Sequence, residues 1–181
     1  MQTVRLTENY ERIQRGNVII SVFGYNSRCG STYTAFDIAF YLHKYERAKV
    51  CIVTAVTAGL CKYFNVDETT VNENGFNIDD VIIYSCFDKI SDTFDYIVCD
   101  DGITLNHNAY IHILLCSAAD WDMPMLTDYI NNVIIPNKMD VNLCFFPVTI
   151  NKFVAINKQL IKSGFNAYML CLLYTSDAAD D

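Results

Sequence analysis

Apolar runs along this chain alternate with segments whose apolar residues recur at helical spacing. The run NVIISVFG at 17–24 is rich in β-branched residues, which is typical of a strand buried on both faces. The segment TYTAFDIAFYLHKY at 32–45 follows a small polar turn and predicts an amphipathic helix. KVCIVTAV at 49–56 then predicts a second buried strand. Strand, helix and strand within about 40 residues form one βαβ unit, whose two strands run parallel.

The rest of the chain continues this alternation. Further strands are predicted at 79–85 (an edge strand), 94–100, 110–117, 141–148 and 165–170, with helices at 60–64, 123–134 and 151–164, the last ended by Gly164. Buried strands that alternate with helices indicate an α/β fold. We therefore expect a doubly wound, mainly parallel sheet in a three-layer α/β/α arrangement.

Composition narrows the class of protein. The chain has 181 residues, 52% of them apolar and 19% charged, as in one packed domain. Its apolar runs of about seven residues are far shorter than the ~20 that a membrane helix needs, so we expect no membrane span and a cytoplasmic protein. The net charge of −8 and the lack of a Lys/Arg cluster argue against nucleic acid. Eight cysteines without metal-ligand spacing predict buried free thiols and no structural metal.

The two ends of the chain break the pattern. Residues 1–16 are polar and are predicted to be an N-terminal extension of a domain at 17–170. The string CLLYTSDAADD at 171–181 resembles the translation of a sequencing adapter that was read through at the end of a DNA insert. On this interpretation the natural protein continues beyond Leu170 and the domain is truncated, while a genuine acidic tail is the alternative.

The turn after the first strand is the candidate site. It reads GYNSRCGSTYTA and leads into a helix whose N-terminal amides suit a phosphate. A phosphate loop reads G-x-x-x-x-G-K-[ST], and here Gly30 and Thr32 match its last glycine and its hydroxyl residue. Ser31 stands at the lysine and Tyr25 at the first glycine. The candidate nucleotide-binding residues are Asn26, Ser27, Arg28, Cys29, Gly30, Ser31, Thr32 and Tyr33.

A resemblance to a known family rests on several segments in order. VIISVFGYNSRCGSTYTAFDIAFYLHKYERAKVCIV resembles the opening of the ParA/MinD family of deviant phosphate-loop ATPases, and FDYIVCDDG resembles a later strand of that family. The likeness covers about residues 17–150. The combination of R-x-G-x-T-Y-T-A, an acid–glycine pair after the later strand and SAADWDMPML resembles a divergent bacterial branch of the family. It implies a P-loop NTPase-like fold with ATP and Mg²⁺ as cofactors. Thr32 and Asp100 would then be the magnesium-linked residues. Family members dimerise around ATP, so the resemblance also implies a homodimer and a protein partner.

Departures from the family bear on activity. Asn26 aligns with the signature lysine, Ser31 with the second lysine and Thr54 with the catalytic acid. Because phosphoryl transfer depends on positioning and on neutralising charge, these losses should slow hydrolysis by several orders of magnitude. No catalytic residue is therefore assigned, and whether the chain is an enzyme stays open.

Three functions follow from this comparison. The first is a nucleotide-binding switch or positioning protein with weak or absent hydrolysis. The second is a pseudo-ATPase that acts as an interaction module without nucleotide. The third is an active ATPase that uses Arg28 in place of lysine. Each candidate residue also has a structural interpretation: Arg28 as a solvated loop residue, Thr32 as a helix cap, and Asp100 with Asp101 as the start of a loop.

Overall fold

The structure is a computed structural model that describes residues 18–26, 29–56, 59–60, 64, 75–90, 92–104, 106, 108–146 and 148–169. The described residues belong to two compact units, one ending at Leu114 and one beginning at Leu115. The predicted extension at 1–16, the tail at 171–181 and most of the predicted helix at 60–64 lie outside the described residues.

The first unit is a sheet with one long helix. Its elements are β1 (Val18–Gly24), α1 (Ser31–Lys44), β2 (Val50–Thr54), β3 (Phe76–Ile78), β4 (Val81–Tyr84), a 3-10 turn (Phe87–Lys89), β5 (Tyr96–Gly102) and most of β6 (Ile111–Cys116). The strand order is β3-β4-β2-β5-β1-β6. The pairs β1–β5, β2–β5 and β2–β4 are parallel, and β3–β4 is antiparallel. The predicted α/β class with a mainly parallel sheet is confirmed.

Apolar burial explains why these segments form strands and a helix. Every residue of β2 is buried, and β1 is buried at six of its seven positions. On α1, Ala35, Phe36 and Ala39 are buried, and two of these are small residues that let the helix lie close to the sheet. The cysteines of the central strands are buried free thiols, as predicted for them. Burial raises the pKa of Cys51 to about 12, so this thiol stays protonated.

The edge of the sheet differs from the prediction. The segment at 79–85 was expected to form an edge strand, but β4 lies between β2 and β3. The edge strand is β3, a three-residue strand that follows a polar stretch and has too few residues for a periodic pattern. A two-residue turn, Asp79–Asp80, joins β3 to β4, and both residues have positive φ (48° and 66°). This is the backbone that a type I′ hairpin requires.

The second unit contains the end of β6, then α2 (Met123–Tyr129) with a π-helical turn (Ile130–Ile134), β7 (Val141–Phe145), α3 (Ile150–Lys162) and β8 (Asn166–Met169). Its strand order is β6-β7-β8, and β7 and β8 are parallel. The helix α3 has a cap at each end. Thr149 accepts a hydrogen bond from the Lys152 N–H at 3.4 Å, and Gly164, at φ 82°, ends the helix as the sequence predicts. Among the described residues, no helix is both long and apolar enough to cross a membrane.

Strand order locates the candidate site. From β1 the chain passes through α1 to β2 on one side, whereas β6 lies on the other side of β1. Such a reversal of strand order leaves a crevice outside the carboxyl ends of the strands, where ligands bind in open α/β sheets. The carboxyl ends of β1, β2 and β5 lie next to this crevice, together with the start of α1.

The hairpin turn generates a stability prediction. Replacing Asp80 by glycine removes the steric cost of a left-handed L-residue, and we expect the free energy of unfolding to rise by about 0.5–1 kcal/mol in urea titrations. Asp80→Ala removes the same charge without the conformational freedom, so it should be the less stable of the two variants. Equal stability of the two variants would show that charge, and not backbone conformation, limits this turn.

Candidate functional site

The described residues on either side of positions 27–28, between β1 and α1, lie close together. A Cβ atom on Gly24 would lie 2.6 Å from the Cβ of Cys29, so only glycine fits there. Cys29 Sγ lies 3.1 Å from Asn26 Oδ1, so the side chains of these two residues are in contact. The predicted site residues Ser27 and Arg28 lie outside the described residues.

Gly30 turns the chain into α1. Its backbone is left-handed, with φ 81° and ψ 27°, which is a conformation that glycine adopts at little cost. No described side chain caps the helix, and the first turn carries no acid. The first amides of an α-helix have no partner within the helix, and the helix dipole makes this end positive. The start of α1 at Ser31, Thr32 and Tyr33 is therefore suited to an anion such as phosphate.

Asp100 is the centre of a buried polar cluster. Its side chain comes from β5 and the residue is only 8% exposed. Thr32 Oγ1, from α1, donates a hydrogen bond to Asp100 Oδ2 at 2.6 Å, and Thr54 Oγ1, from the end of β2, donates to the same oxygen at 2.9 Å. Three elements that are distant in sequence thus meet at one carboxylate oxygen.

The other oxygen of Asp100 has no hydrogen-bond partner within the described part of the chain, although it is buried. Leaving a buried polar atom unpaired costs about 1–3 kcal/mol, and more when the group is charged. A bound cation or water would remove this cost. Carboxylate and hydroxyl oxygens are ligands that Mg²⁺ accepts, usually together with several waters. The oxygens of Asp100 and Thr32 therefore fit a magnesium ion, which the family resemblance implied for these residues and which stays a prediction.

Thr54 has a role that the sequence did not predict. It was singled out as the position of a missing acid, but its hydroxyl is an integral part of the cluster. The residue is 1% exposed, its hydroxyl donates to Asp100, and the Val56 N–H donates to that hydroxyl at 3.2 Å. The parallel pairing of β2 with β5 sets Thr54 opposite Asp100. The sequence carries no signal for this contact, because the register between β2 and β5 is set by strand pairing in the folded protein.

Asp101 faces the other side of the sheet. Ser21 Oγ donates a hydrogen bond to Asp101 Oδ2. Ser21 pairs with Cys99, whereas Val22 pairs with Asp100, so the Ser21–Asp101 contact lies on the face opposite the Asp100 cluster. Burial raises the pKa of Asp101, the Ser21 hydrogen bond opposes this shift, the neighbouring Asp100 adds to it, and His112 opposes it. Asp100 and Asp101, although consecutive in sequence, thus lie on opposite faces of the sheet.

Two further aromatic side chains are exposed, one in each unit. Tyr33 is 58% exposed on the first turn of α1. Trp121, in the second unit, is 80% exposed, and the adjacent Asp120 forms an ion pair with Lys152 at 2.7 Å. Within the described ranges no group of three or more His, Cys, Asp or Glu side chains could hold a metal ion.

Comparisons with known proteins give the fold a precedent. A scan against protein-family models finds no match, and a search of curated proteins finds no significant one. Among solved structures, the chain is similar to a putative plasmid partition protein from Borrelia burgdorferi B31 bound to AMPPNP. The two are 15% identical with a TM-score of 0.63, and the match covers 92% of this chain and 91% of that one.

Two further solved structures agree. A nucleotide-binding protein from Archaeoglobus fulgidus in complex with ADP is 12% identical, with a TM-score of 0.60 and coverage of 94% of this chain and 87% of that one. A ParA family ATPase from Chlorobium tepidum TLS is 10% identical, with a TM-score of 0.55 and coverage of 83% and 82%. At these identities the likeness is one of fold. This chain has the fold of ParA-like P-loop NTPases.

The Asp100 cluster generates a stability prediction. Thr54→Val keeps the shape of the side chain but removes a hydrogen bond to a buried carboxylate, and we expect the free energy of unfolding to fall by about 1.5–3 kcal/mol in urea titrations. Thr127→Val is the matched control, because the exposed Thr127 hydroxyl donates only to the Met123 carbonyl of its own helix. An equal loss in both variants would contradict a special role for Thr54.

The raised pKa of Asp101 generates a pH-dependent prediction. Because the folded state holds the proton more tightly than the unfolded chain, stability is lost as pH rises from below 3.8 through the folded pKa. Asp101→Asn removes this loss. We expect the variant to be more stable than the parent protein at neutral pH, with a difference that shrinks as pH falls. Asp88→Asn controls for the removal of one negative charge, and a difference that does not vary with pH would contradict the prediction.

Proposed function

We propose that this chain binds ATP at the start of α1, with Mg²⁺ held between Thr32 and Asp100, and acts as a ParA/MinD-like switch or positioning protein whose ATP hydrolysis is weak or absent. The observation that carries the proposal is the buried Asp100 carboxylate. One of its oxygens is held by Thr32 and Thr54, and the other is buried without a described partner.

The phosphate-binding part of the proposal rests on backbone geometry. Gly30 turns left-handed directly before α1, and the first turn of that helix has neither a side-chain cap nor an acid. Backbone amides at such a helix start bind phosphate without help from a side chain. The similar proteins from Borrelia burgdorferi and Archaeoglobus fulgidus were solved with AMPPNP and ADP, which supports a nucleotide as the ligand here.

The metal-binding part rests on the oxygens around Asp100. When bound, Mg²⁺ supplies positive charge that neutralises phosphate oxygens. Thr32 Oγ1 donates its proton to Asp100 and keeps lone pairs for a cation, while Asp100 Oδ1 offers a second ligand. Thr54 donates a hydrogen bond to the Asp100 carboxylate. Its expected contribution is therefore to orient Asp100 toward the metal ion and not to contact the metal ion itself.

We expect weak hydrolysis because three charged residues of the resembled family are replaced by uncharged ones in this chain. Asn26 and Ser31 occupy the lysine positions of the resembled family, so neither supplies a cation to the developing charge. Thr54 occupies the position of the acid, and its hydroxyl is already committed to Asp100. The second candidate function, an interaction module that binds no nucleotide, is favoured by the same missing cations. A cytoplasmic location, a protein partner and a homodimer remain part of the proposal through the resemblance.

A titration with a fluorescent ATP analogue, with and without Mg²⁺, tests binding. We expect saturable binding that Mg²⁺ strengthens. Asp100→Asn and Thr32→Val should each remove the magnesium-dependent gain, because each deletes a proposed ligand, whereas Thr54→Val should weaken it on the order of 10- to 100-fold. Asp128→Asn, at an exposed position on α2, is the control for charge.

The outcomes separate the three functions. No saturable binding up to millimolar nucleotide, from protein shown to be folded, would exclude the switch and favour the interaction module. Phosphate release should stay at background. Release above background that Arg28→Ala abolishes would instead establish an active ATPase.

A further inference from the structure

A second cleft opens on the face of the sheet opposite the Asp100 cluster. It has a volume of about 410 Å³ and is lined by Ile19, Phe87, Asp101, Thr104, Asn106 and Asn108. Ile19 lies two residues before Ser21 on β1, so both side chains point to this face. The cleft therefore lies outside the proposed nucleotide site, although Asp101 directly follows Asp100 in sequence.

The polar wall of the cleft is held in place by its own hydrogen bonds. Ser21 is fully buried and donates to the Asp101 carboxylate, which fixes that carboxylate at the end of β5. His112 Nε2 lies 2.9 Å from the Asn106 carbonyl oxygen, and the Asn108 N–H donates to Asn106 Oδ1 at 3.1 Å. The carboxylate and the amide are thus positioned before any ligand arrives, which lowers the entropic cost of binding.

Among the described residues, the favourable charge interaction of Asp101 is with His112, which opposes the rise of its pKa. No described lysine or arginine forms an ion pair with Asp101, since the described ion pairs join Lys49 to Asp92 and Lys152 to Asp120. The full chain is also acidic, with a net charge of −8. A cationic ligand would gain from both the local carboxylate and the long-range potential.

The size and the lining of the cleft suit an organic cation better than a metal ion. A volume of about 410 Å³ is within the range of ligand pockets and is more than ten times the ~30 Å³ that one water occupies in the liquid. Ile19 and Phe87 form an apolar wall that suits an aliphatic stem, and Phe87, at 39% exposed, offers a ring to a cation. A planar guanidinium can donate to a carboxylate and stack on an aromatic ring at the same time.

We propose that the Asp101 cleft binds a guanidinium group on a short aliphatic stem, with Asp101 as the anionic partner and Phe87 as the stacking surface. The guanidinium comes either from an arginine side chain of a partner protein or from a free small molecule. Its chemistry is the same in both cases. The proposal does not depend on nucleotide binding at the opposite face.

Calorimetric titration with two guanidinium probes tests the cleft and separates the sources. The probes are agmatine, as a free small molecule, and the capped peptide acetyl-Gly-Arg-Gly-amide, with the citrulline peptide as a neutral isostere. We expect one or both guanidinium probes to bind and the citrulline peptide not to bind. Tighter binding of the peptide identifies a protein side chain as the source, and tighter binding of agmatine identifies a free ligand. Binding of neither, or equal binding of the citrulline peptide, overturns the proposal.

Matched variants locate the binding. Asp101→Asn keeps an oxygen for the Ser21 hydrogen bond and should weaken guanidinium binding at least tenfold, and Phe87→Leu should weaken it less. Asp88→Asn removes the same charge next to Phe87 at an exposed position that does not line the cleft, so affinity should change little. Equal losses in Asp101→Asn and Asp88→Asn would show general charge attraction and overturn the proposal. Thr32→Val should leave guanidinium binding unchanged, which makes this result separable from a failure of the proposed nucleotide site.

Discussion

The structure of the candidate site depends on the hydrogen bonds to the buried carboxylate of Asp100. Two threonine hydroxyls converge on one of its oxygens, one from the first turn of α1 and one from the end of β2. Because charge is costly to remove from water, these two hydrogen bonds offset part of the cost of holding the carboxylate at 8% exposure. The loop, the helix start and two strand ends are therefore linked through a single side chain.

This arrangement also accounts for the chemical character of the site. In the function proposed above, backbone amides at Gly30 and the start of α1 would bind the anion, and Thr32 and Asp100 would bind the cation. Neither needs a lysine. Hydrolysis is different, since it needs charge and a carboxylate at places that this chain fills with Asn26, Ser31 and Thr54. Binding without efficient turnover is thus a physically consistent combination, and not a contradiction between the fold and its residues.

Because side chains alternate along a strand, the end of β5 presents acids to both faces of the sheet. Asp100 and Asp101 are neighbours in sequence, but the first is enclosed with α1 and the second lines an open cleft with Ser21 behind it. A ligand bound at either acid would contact the end of β5. The two faces are therefore physically connected through one strand, even though their side chains share no hydrogen bond among those described.

Apolar patterning by itself determined the α/β class, most strands and helices, and the end of α3 at Gly164, because these depend on local burial and backbone preference. The phosphate-loop motif and the family resemblance, and not apolar patterning, singled out Gly30, Thr32 and Asp100 as candidate site residues, and that assignment stays a prediction. Tertiary structure alone decided that β3 and not β4 is the edge strand, that Thr54 is a partner of Asp100, and that Asp101 serves a separate cleft. Those facts depend on strand order and register, which arise from pairing between separate segments; the two hydrogen bonds join residues 46 apart (Thr54 with Asp100) and 80 apart (Ser21 with Asp101). No local pattern encodes pairing at that distance.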